Sequence, residues 1–148
     1  MERWSIKAWT NSRDVGYDVG AVVFYPNAGE RLVDVVGANG ILFDYPAEQY
    51  TYTFGYPSSP STAKGERLYY CSGTPTWNGI FDPKRMELKC DFASPIYQRY
   101  VGGPWVMRFD GERGFLHSIT TTDTRGDLTG ILFENAEENL YNAVSVRY

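Results

Sequence analysis

The run Val101-Gly102-Gly103-Pro104-Trp105 has the composition of a tight corner leading into a β-strand. The glycines open backbone conformations that other residues avoid, the proline fixes φ, and the aromatic begins an apolar stretch. Such a corner can present a nucleophile when the residue ahead of the glycines carries oxygen or sulfur. Here that residue is Val101, whose hydrocarbon side chain has no lone pair to attack a carbonyl. The sole histidine, His117, lies in the strand-like run Phe115-Leu116-His117-Ser118-Ile119-Thr120. A lone strand histidine is more often a satisfied or surface residue than a catalyst. The two cysteines, Cys71 and Cys90, each sit in a strand-like run on either side of a turn-rich connection. They could close a disulfide across a hairpin, contributing roughly 3 kcal/mol in the loop-entropy description, or remain two buried thiols. A disulfide would imply an oxidising compartment. Asp34, Asp44, Asp82, Asp110, Asp123 and Asp127 fall at strand ends or in turns, where aspartate bonds backbone and faces water. They give no metal-ligand pattern, and no metal or other cofactor is expected.

The corner must be held by a scaffold, and length and composition bound what that is. At 148 residues, with 43% hydrophobic and 22% charged side chains, the chain suits one globular domain with its own core. A net charge of −4 and a pI near 5.0 argue against nucleic acid, which requires a basic stripe to displace counterions. No apolar run is long enough to cross a membrane as a helix, so no membrane partner is expected. The opening Met1-Glu2-Arg3-Trp4 lacks the layout of a signal peptide.

Alternating, β-branched and aromatic runs predict strands over 4–10, 19–25, 31–36, 41–43, 50–56, 67–72, 86–92, 105–109, 115–121 and 129–133. Turn chemistry separates them at Pro26-Asn27-Ala28-Gly29, Ala38-Asn39-Gly40, Pro57-Ser58-Ser59-Pro60, Asp110-Gly111 and Arg125-Gly126-Asp127. Many short strands at close spacing mean a barrel or sandwich. The tail changes period: Ala136, Leu140, Ala143 and Val144 recur at helical spacing behind Asn135 as cap, with Glu137 and Glu138 in the first turn. The predicted class is all-β with one C-terminal helix.

Several segments follow one another in an order that resembles secreted trypsin-like serine peptidases of bacteria, actinobacteria in particular. They are Tyr17-Asp18-Val19-Gly20-Ala21-Val22-Val23, Gly55-Tyr56-Pro57, Arg67 through Gly73, Leu88-Lys89-Cys90-Asp91, the Gly102–Trp105 corner and Asn139-Leu140-Tyr141-Asn142-Ala143. The resemblance spans about residues 9–143 and implies a chymotrypsin-like fold. It puts the last strands of a first barrel in about 1–45, and a six-stranded second barrel with the helix in about 46–148. It casts Asp18 as the vestigial triad acid and the degenerate nucleophile turn as Arg99, Tyr100, Val101, Gly102 and Gly103. His117, Ser118, Ile119 and Thr120 become candidates for the strand that meets substrate. It also implies secretion.

The departures matter as much. The family's histidine lies well upstream of its acid, and the seventeen residues ahead of Asp18 contain none. Arg99 replaces the glycine whose N–H enters the oxyanion hole, and Val101 replaces the serine. The resemblance therefore implies a peptidase homologue that is inactive as written. The alternative is a non-catalytic peptide- or protein-binding module built on the same cleft. A carbohydrate-binding sandwich, resting on aromatic richness alone, would require a jelly-roll strand order.

Overall fold

The structure is a computed structural model, and it describes residues 1–57, 65–77, 84–89, 101–121 and 128–146. Its elements run β1 (Glu2–Ser5), α1 (Lys7–Ser12), a 3-10 turn (Val15–Tyr17), β2 (Gly20–Val23), α2 (Leu32–Val36), β3 (Gly40–Ile41), β4 (Thr51–Gly55) and β5 (Tyr69–Gly73). They continue with β6 (Thr76–Trp77), β7 (Arg85–Leu88), β8 (Pro104–Met107), β9 (Phe115–Thr121), β10 (Leu128–Leu132) and α3 (Asn135–Ser145). β1 and β2 form a two-stranded antiparallel ribbon. The main sheet has the order β5-β4-β8-β9-β10-β7-β6, with β3 paired in parallel to the start of β9. The predicted six-stranded barrel thus takes the form of a curled, mostly antiparallel half-barrel, with β5 and β6 at the two ends of the path. No helix among the described residues is long and apolar enough to cross a membrane.

The sheet is covered on both faces where β9 and β10 run, and every residue of β10 is buried. One face carries Trp105, Met86, Leu88, Leu128, Leu132 and Cys71. The other gathers Val19, Ile131 and Phe133, with Ile41, Phe43, Leu116, Ile119 and Leu140 packed against them. Each such side chain contributes on the order of 1.5–3 kcal/mol when withdrawn from water. Through Leu140, and through Tyr141 against Phe43 at 5.7 Å, α3 closes this second core. It also packs on β1 and β2, so the ribbon and the main sheet share one helix.

Two predicted strands are helices. Residues 4–10 end as strand at Ser5 and turn into α1, where Thr10 Oγ1 and Ser12 Oγ donate back to the carbonyls of Lys7 and Ala8 and Arg13 ends the helix at φ 56°. Of the predicted strand 31–36, Leu32–Val36 form α2: Arg31 ahead of it makes a two-pronged ion pair with Asp34, 2.8 Å on each arm, and Gly37 N–H donates to Val33 O. β-branched residues favour strands only where a neighbouring strand and a half-buried surface receive them, and α2 has no buried residue. Among the described residues there are therefore three α-helices, where one was predicted. The tail helix is confirmed, but Glu134, not Asn135, precedes its first turn as cap, with Glu137 Oε2 accepting from Glu134 N–H at 2.9 Å. The short β6 escaped prediction.

Candidate functional site

Trp105 is the wedge behind the corner. Its indole is fully buried against Gly130 of β10, where an added Cβ would stand 2.8 Å from the ring, and its Nε1–H donates to Thr120 Oγ1 at 2.9 Å. Ahead of it, Gly102 has φ 85°, a conformation that a side chain would strain. Gly102 N–H donates to Thr120 O at 2.7 Å and Thr120 N–H donates to Gly103 O at 2.8 Å, extending the β8–β9 ladder into the corner. The Gly-Gly-Pro-Trp sequence is thus a backbone clamp fastened to one residue of β9. Val101 stands just outside the clamp, 58% exposed. Arg99 and Tyr100, the rest of the predicted turn, lie outside the described residues.

His117 goes the opposite way, into the interior. Across β8 and β9 the register pairs Trp105 with Ser118 but Val106 with Leu116, leaving His117 as the extra residue of a β-bulge. The bulge lets its imidazole reach Thr51 of β4 while Leu116 and Ile119 keep to the face covered by α3. Thr51 Oγ1 donates to Gln49 O at 2.8 Å, so it accepts from His117 Nε2–H at 2.9 Å, which fixes the tautomer. Among the described residues Nδ1 finds no hydrogen-bond partner for its buried lone pair, and neither does the buried Ser118 Oγ. Burial pushes the His117 pKa down to about 4, so the ring is neutral at physiological pH.

The four residues expected to meet substrate sit in the middle of the sheet. His117, Ser118 and Thr120 are buried and Ile119 is half-buried. β8 pairs on one side of Ser118 and Ile119, and β10 pairs with Ser118 through Thr121 on the other. An incoming peptide strand finds no free edge there.

Asp18 closes the 3-10 turn and is half-buried. Its neighbours on both sides are anchored. Val19 enters the core beside Ile131 and Phe133, and the Tyr17 ring lies 4.3 Å from the Lys84 ammonium. Lys84 is itself buried and held by both oxygens of Glu137 on α3, at 3.0 and 2.9 Å. This Lys84–Glu137 pair links α3, the start of β7 and the turn bearing Asp18. Sequence reasoning missed it; the only signal was Glu137 itself, taken as a first-turn acid favoured by the helix dipole.

Cys71 is buried in β5 beside Thr53 in register and is not a free thiol, while Cys90 lies outside the described residues. Among the turn acids, Asp34 pairs with Arg31, and Asp110 accepts from the N–H groups of Glu112 and Arg113, both at 2.9 Å. Those backbone donors hold its carboxyl below the usual range. Asp44, at φ 50°, lines an open depression with Glu48, Trp77 and Glu134. Asp82, Asp123 and Asp127 fall outside the described residues. The described residues bring together no group of three or more His, Cys, Asp or Glu side chains that could hold a metal ion.

No protein-family model matches the chain, and no curated protein does. Two solved structures do. One is the protease Anisep from Arthrobacter nicotinovorans, with TM-score 0.80 and 24% identity over 98% of this chain and 65% of that one. The other is the thermostable serine protease AL20 from an extremophilic microorganism, with TM-score 0.81 and 25% identity over 100% of this chain and 67% of that one. At these identities the likeness is one of fold, and the chain spans about two thirds of either neighbour's length. Such a fold leaves no place for a jelly roll.

Proposed function

We propose that the chain is a trypsin-like serine peptidase homologue that does not hydrolyse peptide bonds as it stands. The likeness to two proteases supports the ancestry. One observation carries the loss of hydrolysis: the clamp of Gly102, Gly103 and Thr120 holds a valine side chain out in the open where the reaction requires an attacking oxygen. The sole histidine is no substitute base, since it is fully buried and hydrogen-bonded to Thr51. In this reading Asp18 is a retained acid without a base to orient, Arg99 has displaced an oxyanion glycine, and residues 46–148 descend from a second barrel. Secretion belongs to the same ancestry.

The test is hydrolysis of a fluorogenic peptide library spanning acidic, basic, aromatic and small residues before the scissile bond. The purified chain is expected to match the blank. Turnover that a serine-directed reagent abolishes would overturn the proposal. The exposure of Val101 favours a second reading, in which the corner holds a peptide or protein without cutting it. Capture on a peptide array, lost in Val101→Asp, would support that form; no capture would remove it.

A further inference from the structure

The open depression beside Asp44 has a volume of about 530 Å³, within the range of small-ligand sites, and its lining includes Asp44, Tyr45, Glu48, Trp77, Leu132 and Glu134. Asp44 N–H donates to Phe133 O at 2.9 Å, which fastens this wall to the residue that follows β10. The three carboxylates are unequally committed. Glu134 serves the cap of α3 and lies 4.0 Å from the Lys84 ammonium. Asp44 and Glu48 are exposed, and among the described residues neither side chain meets a cation or a hydrogen-bond donor. Trp77 is 44% exposed, and its indole has no partner among the described residues either. Tyr45 shows what this lining accepts. The Arg108 guanidinium lies 5.5 Å from its ring centroid and donates through Nη2 to its hydroxyl at 2.6 Å. One guanidinium is thus already seated on a wall of the depression, and it pairs with neither Asp44 nor Glu48.

We infer that the depression receives a second guanidinium, the arginine side chain of a partner polypeptide. Charge complementarity argues for a cation: Asp44 and Glu48 are uncompensated on a chain whose net charge is −4. The described residues bring together no group of three or more acids that could hold a metal ion, so the charge suits an extended cation rather than a point one. A planar guanidinium stacks on the Trp77 indole and still turns its N–H edge to the carboxylates, which a compact ammonium does less well. Leu132 offers apolar surface to the methylene stem. The inference goes beyond the reading of Val101 and does not depend on it.

The test is titration of the intact chain with the peptide Ac-Gly-Arg-Gly-amide, followed through the Trp77 indole N–H resonance, which is identified by its loss in Trp77→Leu. The resonance should shift and saturate. The same peptide with citrulline, the uncharged isostere of arginine, should bind about tenfold or more weakly, as should the lysine peptide. Asp44→Asn/Glu48→Gln should keep the parent's melting temperature, since both side chains are exposed and asparagine tolerates the φ of 50° at position 44, and should lose binding to the arginine peptide by about tenfold or more. A shift that stays linear without saturating, equal binding of the citrulline or lysine peptide, or unchanged binding in the double variant would each overturn the inference. So would calcium that moves the same resonance saturably and displaces the peptide, which makes a metal the occupant.

Discussion

The exposed side chain of Val101 sits one residue ahead of a glycine at φ 85° whose N–H is bound to Thr120. Changing that side chain therefore alters chemistry without disturbing the clamp. Val101→Ser introduces a hydroxyl but no base, so hydrolysis of the fluorogenic library is expected to stay at the blank; an increase of about a hundredfold, the scale of general-base assistance, would contradict this. His117 makes a separate prediction through pH. Its pKa is near 4 in the folded chain against 6.5 when exposed, so between these values the unfolded chain binds more protons. The stability it contributes is complete above pH 6.5, declines as pH falls, and is lost below pH 4. The total is about 3 kcal/mol, from 1.36 kcal/mol per unit. Denaturant unfolding from pH 7.5 to 4 should show this loss on top of the carboxylate background, and His117→Phe should lack it. Equal pH slopes in the two proteins would contradict the buried, neutral assignment.

Among the elements, α3 joins the two cores, and the Lys84–Glu137 pair is its polar fastening. Removing Lys84 leaves the Glu137 carboxylate buried without its bidentate counter-charge. Lys84→Met is expected to cost about 3–5 kcal/mol in denaturant unfolding, while the double change Lys84→Met/Glu137→Leu should recover much of that. If Lys84→Met unfolds within 1 kcal/mol of the parent, roughly the worth of a surface pair, the fastening is not structural. A second element-level expectation concerns Cys71 in β5. Thiol titration of the unfolded, unreduced chain should find no reactive thiol, and reduction should release two; two thiols before reduction would rule out pairing with Cys90.

The strands of the main sheet were legible in the sequence because alternation and turn residues bracket them, as at 50–56, 105–109 and 115–121. The Gly102–Trp105 corner was legible because glycine, proline and tryptophan each have one structural use there. α2 was not, since Leu32-Val33-Asp34-Val35-Val36 has the composition of a strand and becomes a helix where, among the described residues, no strand pairs with it. The Lys84–Glu137 pair, 53 positions apart, and the bulge that turns His117 inward are products of register, which composition does not specify.

At the scale of the whole molecule, a curled sheet similar in fold to two proteases exposes the hydrocarbon side chain of Val101 just ahead of the Gly102–Trp105 corner. Asp18 is anchored through its neighbours Val19 and Tyr17 and, beyond Tyr17, the Lys84–Glu137 pair. The most direct measurement is the intact mass of the chain after incubation with an excess of a fluorophosphonate, which bonds covalently to an activated serine. The account predicts an unchanged mass and no residue labelled. A single stoichiometric adduct on a serine of this chain, with peptide hydrolysis lost in parallel, would contradict it.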